Sequence, residues 1–197
     1  IHPIFTFGSE EQKKKYIPEL VKGNLIGCFG LTESITGSNP SAMETNFEEV
    51  SDGYILNGSK NWITNAPIAD VFIIWAYDKN KNVHGFILDK QLKGLTTSKI
   101  EKASIKIAQA GKIFLKDVKV SKNSILPNTE GWKSVYSCIN KARYGIAWGA
   151  MGAAETCWHI AKEYTEKRII NGRPLASRQL VQKKLADMLT EVALGFS

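Results

Sequence analysis

Gly27-Cys28-Phe29-Gly30-Leu31-Thr32-Glu33 opens the part of this 197-residue chain that decides its fold. Gly37-Ser38 follows at once, and Lys60-Asn61-Trp62-Ile63-Thr64-Asn65 comes one strand and turn later. The first stretch is an apolar strand that ends in a hydroxyl and a glycine-permitted turn. The second offers an aromatic flank, a hydroxyl and backbone N–H groups at a strand edge. Outward from them, residues 25 to 126 alternate short runs rich in Ile, Val, Phe, Thr and Tyr with Gly, Asn and Asp. Asn57-Gly58, after Tyr54-Ile55-Leu56, predicts a two-residue hairpin turn. Val71 to Tyr77 and Val83 to Leu88 read as strands flanking a polar turn at Asp78 to Asn82. Runs at Thr96 to Ile100 and Lys112 to Val120 complete an antiparallel β-barrel or sandwich.

On either side the pattern is helical. Ser9-Glu10-Glu11-Gln12 forms a capping-box signature, and Pro18 predicts that the helix ends near Tyr16, with a short second turn closing at Gly23. After Pro127 and Gly131, Val135, Ile139, Ala142, Ile146, Ala153, Cys157, Ile160 and Tyr164 mark one face of a long helix from Trp132 to about Arg168. Gly145, Gly149 and Gly152 on it permit close approach by another element. Gly172-Arg173-Pro174 breaks the helix. A second amphipathic helix carries Val181, Leu185, Met188, Val192 and Phe196, and reaches Ser197 in mid-pattern. The class is therefore α+β: a short helix, a β-domain, then two long helices.

Composition narrows the function. Hydrophobic residues make up 43% of the chain, enough for a core, and no run approaches the roughly 20 apolar residues of a membrane span. No signal peptide is legible at Ile1-His2-Pro3-Ile4, and the absence of an initiator Met leads us to expect a longer polypeptide. Cys28, Cys138 and Cys157 read as reduced, buried thiols of an intracellular protein. His2, His84 and His159 are isolated, so no metal site is expected. A net charge of +7 suits phosphate-bearing ligands, although the lysine clusters read first as solvated faces and no nucleic-acid module is visible.

Apolar faces for stacking, with a few donors beside them, are what a flavin ring requires. Either stretch alone reads as an ordinary half-buried strand. Together and in this order they resemble the acyl-CoA dehydrogenase family, and within it the glutaryl-CoA branch, through Ala142-Arg143-Tyr144-Gly145-Ile146-Ala147-Trp148-Gly149 and Gln182-Lys183-Lys184-Leu185-Ala186-Asp187-Met188-Leu189-Thr190-Glu191. The resemblance implies the end of an N-terminal helical domain at 1–24, a middle β-domain at 25–126, and the first half of a four-helix C-terminal domain at 127–197. It also implies FAD, an acyl-CoA substrate, α,β-dehydrogenation with decarboxylation of glutaryl-CoA to crotonyl-CoA, electron-transfer flavoprotein as acceptor, and a homotetramer. Bacterial cytoplasm and mitochondrial matrix both fit.

Position by position, the resemblance implies FAD contacts at Phe29, Leu31, Thr32, Gly37, Ser38, Trp62, Ile63, Thr64, Arg168 and Gln179. Thr32 would face the pyrimidine side of the ring, Thr64 would lie near N5, and Arg168 would meet the pyrophosphate, it and Gln179 being delivered across a subunit interface. Acyl-CoA contacts would come from Ser38, Tyr136, Asn140 and Arg143. Some features depart from the family pattern. Ile35 is apolar where a polar turn residue is usual, and Asn171-Gly172 stands where Phe-Gly follows the arginine. No carboxylate matches the catalytic base. The usual position would lie past Ser197, and an alternative one is Ala142. The family's glutarate-binding arginine would precede Ile1. The 197 residues alone are therefore expected to be inactive. Two other readings are a non-catalytic remnant or binding module, and a short-chain acyl-CoA dehydrogenase.

Overall fold

The computed structural model describes residues 1–197, which divide into two compact units, Ile1–Cys138 and Ile139–Ser197. The first begins with helix α1 (His2–Phe7), which buries Ile4 and Phe7 and was not legible in the sequence. Helix α2 (Glu10–Lys22) has the expected capping box at Ser9 and Gln12 and ends at Gly23 with φ 76°. Pro18 does not end it. Pro18 and Lys14 are both exposed, so the Lys14 carbonyl that loses its helical partner faces water. Buried Gln12 ties α2 to the sheet, donating to the Asn123 carbonyl at 2.7 Å and the Ile125 carbonyl at 2.8 Å.

Seven strands follow: β1 (Gly27–Gly30), β2 (Asn46–Val50), β3 (Gly53–Thr64), β4 (Val71–Tyr77), β5 (Val83–Asp89), β6 (Leu95–Ile100) and β7 (Ala110–Ser121). They form one sheet in the order β1-β4-β2-β3-β7-β6, with β5 also paired to β4. All seven β4 positions are buried, as in a strand covered on both faces. Leu56, Phe72, Ile74, Phe86, Ile113 and Val118 form the core.

Two expectations are corrected here. The sheet is not wholly antiparallel, because β1 pairs with β4 in parallel and β2 meets β4 in parallel at Asn46 and Tyr77. Asn57-Gly58 is no hairpin; β3 runs straight through it, and the β2–β3 turn lies at Ser51-Asp52. Opposite Asn57-Gly58 a β-bulge lies on β7, where three steps from Val118 to Leu115 face two from Leu56 to Gly58, and Asn57 exchanges hydrogen bonds with Asp117 in that bulge. Gly58 is needed for close approach: a Cβ there would lie 2.5 Å from Thr45 Oγ1.

Helix α3 (Trp132–Lys167) starts in the first unit, where Val135 and Cys138 are buried and Trp132 packs edge-on against Tyr77. In the second unit, the remainder of α3 is followed by the small hairpin β8 (Ile169–Ile170) and β9 (Arg173–Pro174), and then by helix α4 (Gln179–Gly195). Val192 is buried, and Val181, Leu185 and Met188 are half-buried, as the stripe predicted. The matching face of α3 differs from the expected one. Trp158 Nε1 donates to the Leu185 carbonyl at 2.9 Å and Met151 abuts Gly195, whereas Ile146, Ala153, Cys157, Ile160 and Tyr164 are exposed. Residues 141 to 150 are exposed on every side of the helix, and a Cβ placed on Gly145, Gly149 or Gly152 would meet nothing within 4 Å. No helix is long and apolar enough to cross a membrane.

Candidate active site

The two stretches singled out by the sequence meet in the first unit. The Asn61 N–H donates to the Thr32 carbonyl at 2.8 Å, joining the end of β1 to the outer half of β3. Gly30 allows this approach, since a Cβ there would fall 2.6 Å from Ile74 Cδ1 and 3.2 Å from Lys60 Cγ. Beneath the crossing lies a group the sequence reading did not single out. Lys60 Nζ donates to the Leu31 carbonyl at 3.1 Å and to Glu33 Oε1 at 2.9 Å. Glu33 also accepts from the Thr45 N–H and hydroxyl at 3.0 and 2.6 Å, and from the Glu44 N–H at 2.7 Å.

Burial pushes the Lys60 ammonium down to about 8, although Glu33 opposes the shift. Burial alone would raise the Glu33 carboxyl, but the Lys60 charge, the Thr45 hydroxyl and the Glu44 N–H together carry it below the usual carboxylate range. Strand alternation held a signal for this pair. Leu56 and Lys60 fall on the same face, and a lysine on an inward face demands a carboxylate.

A second bulge sits next to the crossing, between Lys60 and Ile63 on β3. It places Trp62 at φ 59°, an unusual backbone state for a bulky residue. The Trp62 N–H donates to its neighbour Asn61 Oδ1 at 3.0 Å, and the indole is 57% exposed. Past the bulge Ile63 turns into the core and Thr64 turns out. Leu31 is also buried, so Leu31 and Ile63 present only backbone outward. Phe29 and Thr64 line a cleft of about 380 Å³ with Gly27, Cys28 and Asn65, capped by Ile4 and Leu20 of the helices. Thr32 and Trp62 are not among its lining residues. Burial pushes the Cys28 thiol up to about 12, which leaves it inert.

Gly37 and Ser38 lie on an exposed loop after Glu33, with Ile35 exposed beside them. On the far side of that loop the Ser41 carbonyl accepts from the Tyr77 hydroxyl at 2.7 Å. The Tyr77 ring meets Trp132, and Trp132 meets Tyr136, at centroid separations of 6.2 and 5.6 Å. An aromatic chain thus links the Ser38 loop to Tyr136. Asn140, Arg143, Arg168 and Gln179 belong to the second unit and are exposed. Arg143 Nη1 donates to Asn140 Oδ1 at 3.4 Å. The Arg168 side chain lines a shallow surface pocket with Ile160, Tyr164 and Lys167.

A general base does not emerge. Glu33 is the one buried carboxylate, and its oxygens are occupied. Glu155, Glu163, Glu166 and Glu191 are exposed, with Glu163 and Glu166 paired to Lys167 and Lys162. No group of three or more His, Cys, Asp or Glu side chains could hold a metal.

The chain matches the family model for the acyl-CoA dehydrogenase middle domain over residues 28–118 and that for the C-terminal domain over residues 129–195. It is 38% identical to a glutaryl-CoA dehydrogenase of Desulfococcus multivorans over 97% of this chain and 51% of that protein. It is 39% identical to a short-chain specific acyl-CoA dehydrogenase of Megasphaera elsdenii, over 97% of this chain and 52% of the other. The crystal structure of a Mycobacterium smegmatis glutaryl-CoA dehydrogenase in complex with FADH2 matches with a TM-score of 0.95 and 39% identity, over 98% of this chain and 50% of that one. The chain spans about half the length of the curated relatives it matches. The β-sheet unit and the helical unit match two domains of one family, and this chain belongs to the acyl-CoA dehydrogenases.

Proposed function

We propose that this chain supplies the FAD- and acyl-CoA-binding portion of an α,β-dehydrogenase acting on a short acyl-CoA thioester, with glutaryl-CoA as the substrate. The observation that carries this reading is the Asn61–Thr32 bond, which sets Thr32 beside the strand bearing Trp62 and Thr64. The residues fit the cofactor. A half-exposed indole gives a stacking wall, and outward hydroxyls and backbone N–H groups give donors. When bound, FAD supplies the hydride acceptor. The chain's own residues orient and polarise: Thr32 and Thr64 present hydroxyls, Ser38 and Tyr136 flank the acyl side, and Asn140 with Arg143 meets the coenzyme A moiety.

Proton removal from the substrate is a different matter. A base for a weakly acidic α-proton needs a raised pKa, whereas Glu33 is held low and Ala142 has no carboxyl. We therefore assign that step to a residue outside these 197, and electron transfer onward to an electron-transfer flavoprotein by a homotetramer. Similar identity to glutaryl-CoA and short-chain enzymes makes a monocarboxylic short acyl-CoA the alternative substrate. The test is turnover of glutaryl-CoA against butyryl-CoA by the longer polypeptide expected to contain these 197 residues (the full chain), with FAD and a dye acceptor. Crotonyl-CoA formed from glutaryl-CoA supports the proposal; oxidation of butyryl-CoA alone assigns the alternative. Flavin-dependent turnover by the 197 residues alone overturns the placement of the base.

A further inference from the structure

We propose that Lys60 and Glu33 are positioning residues for the flavin edge: the pair staples the Ser38-bearing loop shut at its base and locks that base to β3 beside Trp62. The inference rests on the FAD reading above. Lys60 Nζ reaches Leu31 and Glu33 on the entering side of the loop and Met43 Sδ, at 3.6 Å, on the leaving side. Glu33 closes the same gap from the other direction, accepting from Glu44 and Thr45. All these links converge on the flanks of residues 34 to 42, which include Gly37 and Ser38. The next residue along β3 after Lys60 is Asn61, whose N–H holds Thr32, and the next is Trp62 at the bulge.

Fold stability alone does not account for such a group. A buried ion pair is a weak source of stability, because well-packed apolar side chains of similar volume do as well or better. What apolar residues lack is direction. The ammonium and the carboxylate fix three segments by aimed hydrogen bonds, which is what a site that must hold two hydroxyls in one register requires. The Lys60 side chain is fully buried, so it acts through Leu31, Thr32 and Asn61 and does not touch a ligand itself.

The test compares the wild-type full chain with Lys60→Met, Glu33→Gln, the double variant and Thr45→Val. Three readouts are taken: the urea midpoint, hydrogen exchange at the Asn61 amide in FAD-free protein, and FAD affinity by fluorescence quenching. The double variant is expected to recover most of the urea midpoint lost by Lys60→Met. It is also expected to exchange Asn61 at least about ten-fold faster and to bind FAD about ten-fold more weakly. Thr45→Val removes only the hydroxyl that donates to Glu33, and is expected to move both site readouts the same way by about three-fold. Wild-type exchange and affinity in the double variant overturn the proposal, as does an unmoved Thr45→Val if the double variant does not fold. Failure of the wild-type full chain to bind FAD overturns the cofactor reading, and this inference with it. Tight wild-type binding matched by the variants removes the positioning inference alone.

Discussion

The Asn61 N–H lies 2.8 Å from the Thr32 carbonyl oxygen, and through that bond two stretches distant in sequence become one edge. Neither residue contributes its side chain to the bond, so the edge depends on backbone register. What keeps it in register lies beneath: the Lys60–Glu33 pair, the glycine at 30 and the bulge at Trp62.

Breaking the buried pair on one side leaves an uncompensated charge. Lys60→Met is expected to lower stability by about 3–5 kcal/mol, and adding Glu33→Gln is expected to return most of the loss. Urea denaturation of the four-member cycle measures the coupling, and simple additivity would show that the two groups do not interact.

The same pair sets a pH dependence in two windows. The Glu33 carboxyl is depressed in the folded chain. Its stabilisation is full above the unfolded carboxylate value of about 4.3 and is lost as pH falls through the lower native value. Lys60 is pushed down to about 8. Between there and the unfolded value of about 10.4 the unfolded chain holds a proton that the native one has released, so this group makes stability rise with pH. Denaturation midpoints of wild type minus Lys60→Met, followed from pH 7 to 10.5, should show that rise; a flat difference contradicts it.

Trp62 trades stability for presentation. Trp62→Gly removes a bulky side chain from a backbone state with φ 59°, and is expected to raise stability by about 1 kcal/mol. FAD affinity should fall at the same time. Thermal denaturation and flavin titration of one preparation check both, and unchanged affinity would remove the indole from the cofactor wall.

Gly58 has no such freedom. Gly58→Ala drives a methyl into Thr45, with contacts of 2.5 to 2.8 Å, at φ 142°. A loss of about 1–3 kcal/mol follows from the overpacking. A chemical-denaturation midpoint matching wild type would show that the β2–β3 region gives way easily.

The sequence made the class and most elements legible because the short apolar runs at Val71–Tyr77 and Val83–Asp89, bounded by polar turns, and the helical stripe on α4, are local signals. Asn57-Gly58 misled because Gly58 makes room for Thr45 and Asn57 pairs with Asp117 in the bulge on β7, and neither contact is local. Pro18 misled because the effect of a helical proline depends on what its orphaned carbonyl faces. The parallel pairing of β1 with β4 leaves no local trace at all. At the site, the stretches holding Phe29, Thr32, Trp62 and Thr64 were legible by resemblance. Lys60 and Glu33 stood inside them unnoticed, because pairing across the sheet is a tertiary fact. On α3 the apolar residues run nearly all the way round, so period alone could not choose Met151 and Trp158 as the face that meets α4.

The bulge between Lys60 and Ile63 has an evolutionary corollary. On β3 three steps separate those residues, while their partners on β7, Ile113 and Gly111, are two steps apart. Losing one codon there would restore a regular ladder and leave Ile63 facing inward as before. Trp62 is thus the surplus residue of its strand, and a single in-frame deletion could erase the indole from a lineage without scrambling the architecture that displays it.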